Sequence, residues 1–225
     1  MRALVYSRAS AGGVAVSERA RRPAAPREGH VLVDVVAAGL NPVDAKYLVG
    51  DKLPSWLDAL VGRRSVEGLG VGFDFAGVVA CAGAGAGAQL FAPDDRVFGT
   101  SPIGVASVAD VVEVPAHQVA HMPRGASFAR AAALPLVGLT ALQALRHNGL
   151  ACGKRLLLIG ASGGVGHVAL QVAKAMGAHV TAVAGTEVSG ARCRRRGKGG
   201  GGQRAALRIA VRDQGGAPPL EVSKG

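Results

Sequence analysis

A glycine-rich loop at residues 160–166 constrains the fold of this chain more than any other feature of its sequence. Three of its four glycines, Gly160, Gly163 and Gly166, are spaced three residues apart. The loop follows the aliphatic run of residues 155–159 and precedes the apolar-periodic stretch of residues 167–176. The run is typical of a buried parallel strand, and the periodic stretch predicts a helix that ends at Gly177. A second short strand is predicted at residues 178–183. Strand, loop, helix and strand form one β-α-β unit, so the predicted fold class is α/β.

A glycine triplet alone is weak evidence, but its position directly between a strand and a helix is the context of a dinucleotide-binding loop. Small residues let the backbone turn tightly and approach a pyrophosphate, whose negative charge lies at the free N–H groups of a helix N-terminus. The alternative is a glycine-rich turn that serves the close packing of helix and strand. The predicted cofactor-binding residues of this unit are Gly160, Ala161, Ser162, Gly163, Gly164, Val165, Gly166 and, at the end of the second strand, Gly185.

The end of the second strand bears on which dinucleotide is preferred. In NAD-binding units an acidic residue about 20 positions beyond the loop holds the adenosine ribose. Here the strand ends at Gly185 and Thr186 without a carboxylate, Glu187 comes just after, and arginines follow. The absence of an acid favours NADPH, because a carboxylate would repel its additional phosphate. The alternative, that the sequence near residue 186 is not the native continuation, leaves the choice between NADPH and NADH open.

The first 120 residues show a different pattern, in which short β segments are separated by glycine and proline turns. This pattern predicts a barrel-like all-β module. Its strands are predicted at residues 2–6, 30–38, 75–81, 96–98, 108–114 and near Val119, and its two short helices at residues 42–50 and 54–61. Two further helices are predicted at residues 128–134 and 138–147.

Composition excludes several other classes of protein. Hydrophobic residues make up 49% of the 225-residue chain, which is enough for a core, and no apolar run is long enough to cross a bilayer. No secretory signal is visible. Three scattered cysteines are too few for a disulfide framework or a zinc cluster, so a reducing, cytoplasmic location is expected.

The net charge of +11 is concentrated near the end of the chain. Residues 187–225 hold nine Lys and Arg against three Asp and Glu, together with nine glycines and no aromatic residue. This composition predicts a disordered basic tail, with at most a turn or two of helix near residues 205–211. Nucleic-acid binding is not expected, because the tail lacks the aromatic side chains on which bases stack.

Six motifs occur in order along residues 1 to about 185. They are residues 37–44 (AAGLNPVD), 72–79 (GFDFAGVV), 95–99 (DRVFG), 131–135 (AAALP), 138–141 (GLTA) and 160–166 (GASGGVG). Together they resemble the zinc-independent quinone oxidoreductases of the medium-chain dehydrogenase/reductase superfamily, and residues 41–46 are similar to the plant and plastid alkenal and enone reductases. The resemblance implies a GroES-like β module and a Rossmann domain, with NADPH in the cleft between them. The implied substrate is a quinone or an α,β-unsaturated carbonyl compound.

The resemblance also assigns roles to single residues. It implies that Asn41 lies near the nicotinamide and that Thr140 lies near the phosphate side of the cofactor. Lys46 and Tyr47, on the predicted helix after Asn41, are the candidate catalytic proton donors. The alternative for both is a solvated helix face.

A metal site is not expected. Zinc-dependent relatives have a Cys in the region of Pro42 and a His-Glu pair in place of Phe73 and Asp74. They also use four closely spaced cysteines for a structural zinc. None of these ligands is present in this sequence.

The predicted organisation is a GroES-like domain at residues 1–125, a partial Rossmann domain at residues 126–186 and the basic tail at residues 187–225. The further strand-helix units of the family are not found after Thr186, where the sequence resembles a frameshift or a read-through intron. The partial sheet is therefore expected to expose a strand edge near residues 178–183, and a homodimer is one way to cover it. A truncated, non-catalytic homologue, or a binding module with an aberrant basic tail, is the alternative to an active oxidoreductase. A plastid location is the alternative to the cytoplasm.

Overall fold

The computed structural model describes residues 1–7, 10, 13–18, 23–49, 68–186, 191, 207–211 and 222–223. These residues fall into two compact units, Met1–Leu136 and Val137–Gly225. The first unit extends beyond the predicted division at residue 125, because helix α2 (Phe128–Ala132) packs against the sheet of that unit. The helix predicted at residues 54–61 lies outside the described residues.

The first unit contains two antiparallel sheets. Its strands are β1 (Arg2–Tyr6), β2 (Val14–Glu18), β3 (His30–Gly39), β4 (Asp74–Ala82), β5 (Arg96–Thr100), β6 (Val111–Pro115) and β7 (Val119–His121). Strands β1 and β2 form a hairpin, and the second sheet has the strand order β6-β3-β4-β5-β7. The predicted strands lie close to these positions. Strand β2 was not predicted, because the pattern of its five residues is too short to be distinguished from the glycine turn that precedes it.

The centre of the five-stranded sheet is built from β-branched and aromatic side chains. Val31 and Val33 of β3 share one buried cluster with Phe75 and Val79 of β4. The pairing of β3 with β4 contains two irregularities, which bend the strands, and it ends where Gly39 lies opposite Asp74. The segment that leaves β3 therefore runs past the start of β4 and enters helix α1 (Pro42–Val49).

The second unit contains the predicted β-α-β unit, which the structure confirms. Strand β8 (Arg155–Ile159) leads through the glycine loop into helix α4 (Gly164–Ala175), and β9 (His179–Ala184) pairs with β8 in parallel. Helix α3 (Pro135–His147) begins at a proline, which is favoured at the first position of a helix. Helix α4 begins at residue 164 rather than 167, because glycines contribute nothing to the apolar periodicity used to predict it.

Strand β8 differs from the prediction of a fully buried strand. Leu156 and Leu158 pack into the cluster formed by α3, α4 and β9, whereas Leu157 and Ile159 are 61% and 75% exposed. The reason is that α3 and α4 both contribute to the cluster on one face of the sheet. The aliphatic sequence fits burial on two faces, and the described chain buries one of them.

The prediction of disorder for residues 187–225 is wrong for two short segments. Strand β10 (Leu207–Val211) pairs in parallel with β9, and β11 (Val222–Ser223) pairs antiparallel with β10. Residues 207–211, which were predicted to take part in a helical turn, are thus a strand, because the backbone groups of β9 offer partners to an alternating apolar sequence. The expectation of an open edge on β9 is therefore also wrong. The rest of the predicted tail lies outside the described residues.

Candidate functional site

The glycine loop of the second unit turns sharply between β8 and α4. Gly160 has a φ of +73°, which favours glycine over any residue with a side chain. The N–H of Ala161 donates to the carbonyl of Val183 at 3.0 Å, and the N–H of Gly163 donates back to the carbonyl of Gly160 at 3.0 Å. These two bonds fix the loop to the end of β9 and direct the chain into α4.

The glycines of this loop have different roles. A Cβ on Gly166 would overlap the carbonyl oxygen of Gly160 and lie 2.8 Å from Cα of Ala161, so this glycine lets the helix pack against the strand end. A Cβ on Gly163 would meet its nearest neighbouring atom at 3.4 Å, and one on Gly164 at 3.9 Å. Among the described residues, Gly163 and Gly164 therefore have room for a Cβ at ordinary contact distance, whereas Gly166 has none.

The N-terminus of α4 is suited to an anion. Its N-cap is Gly163, which has no side chain to accept hydrogen bonds from the first turn, and that turn contains no acidic residue. The first backbone bond of the helix runs from the N–H of His167 to the carbonyl of Gly163, so the N–H groups of residues 164–166 precede the intrahelical bonds. Free N–H groups, the helix dipole and the space beside the glycines fit a pyrophosphate.

The other predicted cofactor residues of the second unit lie at separate places. Gly185 and Thr186 are exposed after the end of β9, and no carboxylate occupies this position. Thr140 is exposed on helix α3. Their contacts with a cofactor stay predictions.

In the first unit, two buried carboxylates hold Asn41. Asp44 accepts from the backbone N–H of Asn41 at 2.7 Å and from the N–H of Gly72 at 3.1 Å. Asp74 accepts from Nδ2 of the Asn41 side chain at 3.0 Å through one oxygen, and from the N–H of Leu136 at 2.9 Å through the other. Asp44 thus holds the backbone of Asn41, and Asp74 holds its carboxamide.

The two carboxyl groups are almost excluded from water, with exposed fractions of 4% for Asp44 and 1% for Asp74. Burial raises the pKa of Asp74 to about 6, against the hydrogen bonds from Asn41 and Leu136 that favour its ionised form. The nearby charge of Asp44 adds to this rise. Burial also raises the pKa of Asp44, and the N–H donors of Asn41 and Gly72 oppose that shift.

Sequence reasoning assigned a role to Asn41 and none to its two partners. Asp74 is a charged residue at the start of a strand whose next residues are apolar, and this pattern is the signal that could have identified a buried carboxylate. The candidate proton donors Lys46 and Tyr47 lie in helix α1 after Asn41, as predicted, and their side chains lie outside the described part of the structure. Their catalytic roles stay predictions.

The described residues show neither a cluster of metal ligands nor a membrane-spanning helix. Within the described ranges, no group of three His, Cys, Asp or Glu side chains is arranged to hold a metal ion. No helix among the same residues has the length and apolar character needed to span a bilayer.

Comparison with known proteins finds related sequences. Residues 27–124 match the alcohol dehydrogenase GroES-like domain family. The chain is 39% identical over 171 residues to "NAD(P)H oxidoreductase RTN4IP1, mitochondrial" from Mus musculus, a match that covers 71% of this chain and 42% of the relative. It is also 39% identical over 158 residues to the trans-enoyl reductase pgmF from Aspergillus terreus, covering 67% of this chain and 42% of the relative.

Solved structures give a similar result. The quinone oxidoreductase from Thermus thermophilus, solved also in complex with NADPH, matches with a TM-score of 0.67 and 30% identity. The match covers 87% of this chain and 57% of that one. The chain thus spans 42% of the length of the two curated relatives named above and somewhat more than half of this solved structure.

Proposed function

Because the chain belongs to the quinone and enoyl reductase branch of the medium-chain dehydrogenase/reductase superfamily, we propose that the whole protein is an NADPH-dependent, zinc-independent oxidoreductase. Its proposed substrates are quinones or α,β-unsaturated carbonyl compounds. The observation that carries the proposal is the uncapped N-terminus of α4, whose glycines leave space for the pyrophosphate of a dinucleotide.

Each part of the chain has a role in this proposal. The nicotinamide cofactor, when bound, supplies the hydride. The N–H groups of residues 164–166 hold the pyrophosphate, and Asn41 orients the nicotinamide through its carboxamide. Lys46 and Tyr47 are the proposed source of the proton that completes the reduction. Orientation of the reactants supplies much of the rate in such a reaction.

The preference for NADPH and the independence from zinc rest on separate observations. The end of β9 carries Gly185 and Thr186 rather than an acid, so that the extra phosphate of NADPH meets no carboxylate there. Pro42 and Phe73 stand where zinc-dependent relatives have ligands. The cytoplasmic location, the plastid alternative and the homodimer stay predictions from the sequence.

Binding measurements with the variant Gly163→Val test the proposal. A valine beside Gly160 would fill the space that the pyrophosphate needs, so the dissociation constants for NADPH and for 2′,5′-ADP are expected to rise at least about tenfold. The control is Ala175→Val, which adds two carbons to Ala175 at the exposed opposite end of the same helix. It should bind both ligands as the unmodified chain does.

Three results would contradict parts of the proposal. Undiminished binding by Gly163→Val would remove the loop as the site, and equal affinity for NADPH and NADH would remove the preference. Reduction of quinone or enone that a chelator abolishes and zinc restores would remove zinc independence. The alternative of a non-catalytic homologue predicts no turnover with either substrate class, even in a chain that binds NADPH.

A further inference from the structure

Asn41 is held at two points by two different carboxylates. Its backbone N–H donates to Asp44, and its side-chain Nδ2 donates to Asp74. In the described part of the chain, these bonds and the one from the N–H of Asp44 to the carbonyl of Asn41 are the hydrogen bonds of this residue. Asn41 is partly exposed, whereas both acids are buried.

The carboxylate of Asp74 determines which end of the Asn41 carboxamide faces it. An ionised carboxylate accepts hydrogen bonds and donates none, so the NH₂ group of Asn41 must point toward Asp74. The second oxygen of Asp74 is already bonded to the N–H of Leu136, the last residue of the same unit. The carboxylate is thus held from two sides, and Oδ1 of Asn41 is left as the group that can accept a hydrogen bond from a ligand.

We propose that Asp74 is a positioning residue that fixes the carboxamide of Asn41 with its oxygen directed to an N–H donor of the bound ligand. This inference rests on the proposed function, in which that donor is the carboxamide NH₂ of the nicotinamide. Asp74 acts through Asn41 and has no contact with the cofactor in this arrangement.

The variant Asp74→Asn reverses the arrangement without removing its hydrogen bonds. The oxygen of the introduced asparagine can accept from the N–H of Leu136, and its NH₂ then faces Asn41. Asn41 must turn its own oxygen inward to accept this bond. Its NH₂ group then faces the ligand, where its oxygen was before.

Nuclear magnetic resonance of the free chain tests the orientation without any cofactor. The sequence contains two asparagines, Asn41 and Asn148, so asparagine-selective ¹⁵N labelling yields two side-chain NH₂ signals. One proton of the Asn41 pair is expected downfield and slow to exchange, because a carboxylate holds it. Asp74→Asn adds a third NH₂ pair, from the introduced amide. In this variant the Asn41 proton should move upfield while the Asn148 pair stays in place. An unchanged Asn41 pair would overturn the proposal.

Cofactor analogues test the consequence for binding. The 3-acetylpyridine analogue of NADPH has a methyl group in place of the NH₂ and cannot donate. The unmodified chain should prefer NADPH over this analogue by roughly tenfold, since one polar group is otherwise left unpaired. Asp74→Asn should lose or reverse this preference, while its affinity for 2′,5′-ADP, which lacks the nicotinamide, stays unchanged.

The matched control is Asp95→Asn. Asp95 also accepts from a backbone N–H, that of Ala92, and from a side chain, His121, but it lies on the surface of the same unit. This variant should keep the preference for NADPH and the Asn41 signals.

A preference for NADPH over the analogue that is retained in Asp74→Asn would overturn the positioning role while the proposed function stands. Failure of the unmodified chain to bind 2′,5′-ADP or NADPH would overturn the proposed function, and the resonance experiment would still decide the orientation.

Discussion

The glycine loop of the second unit and the Asn41 cluster of the first unit are organised by opposite means. The loop is formed by backbone alone. A Cβ at Gly166 would overlap the backbone of Gly160, whereas one at Gly163 or Gly164 would make ordinary contacts. The cluster depends on buried side chains, because two carboxylates hold the backbone and the carboxamide of Asn41. Substitutions in the loop should therefore change the free energy of unfolding through added side-chain volume and equally at every pH. Substitutions in the cluster should change it through charge.

The largest effect is expected at Gly166. The variant Gly166→Ala places a Cβ against the backbone of Gly160 and Ala161, so α4 must move away from the strand end. The free energy of unfolding is expected to fall by about 3 kcal/mol at any pH. Urea denaturation at two pH values measures it. A change below about 1 kcal/mol would mean that the helix has room to shift.

The next largest effect concerns Asp74 and depends on pH. Because burial raises its pKa to about 6, the folded state keeps this proton over a range in which the unfolded chain releases it. Its contribution to stability is therefore present at about pH 4 and is lost as the pH rises to about 6, by roughly 2–3 kcal/mol. The variant Asp74→Asn has no carboxyl group at this position, so it lacks this pH-dependent contribution to stability.

The measurement is the difference in unfolding free energy between Asp74→Asn and the unmodified chain. As the pH rises from about 4 to about 7, the unfolding free energy of the variant should increase relative to that of the unmodified chain. Titrating groups that do not interact with Asp74 are common to both chains and cancel in this difference. A constant difference would show that Asp74 has an ordinary pKa in the folded protein.

A smaller loss is expected for Asp44→Asn. Both oxygens of Asp44 accept from backbone N–H groups, those of Asn41 and Gly72, and an asparagine offers one oxygen. One buried N–H would lose its partner, at a cost of about 1–2 kcal/mol near neutral pH. Asp74→Asn should not show this loss, because its partner Asn41 can turn its carboxamide. Thermal unfolding of both variants side by side would reveal equal losses if this distinction is wrong.

The smallest effect is expected for Gly163→Ala. The residue has φ and ψ of −71° and 174°, which any amino acid adopts, and a Cβ would meet its nearest atom at ordinary contact distance. Stability should change by less than about 0.5 kcal/mol. A large loss in the same denaturation assay would show that Gly163 has the structural role assigned to Gly166, and the two glycines would no longer be distinguishable.

The two regions also differ in how well the sequence predicts them. The β-α-β unit and the position of the glycine loop were predicted, because glycine spacing and apolar periodicity are local signals. The role of Asp74 was not predicted, because it depends on Gly39 lying opposite Asp74 in the sheet and on an N–H from residue 136. Strand β10 was missed for a similar reason, since its partner β9 lies in a distant part of the chain. The apolar alternation of β10 covers five residues only, which is too short to identify a strand without its partner.

The start of helix α1 at Pro42 has a consequence for the chemical ageing of the protein. Asparagine deamidates when the backbone nitrogen of the next residue attacks the side-chain carboxamide, and a proline nitrogen carries no hydrogen to lose. Asn41 is thus protected from this reaction by the residue that opens the helix. Asn148 precedes Gly149, which places no side chain in the way of the attack. In a stored sample, the added negative charge should therefore map to Asn148, and the carboxamide at Asn41 should outlast it.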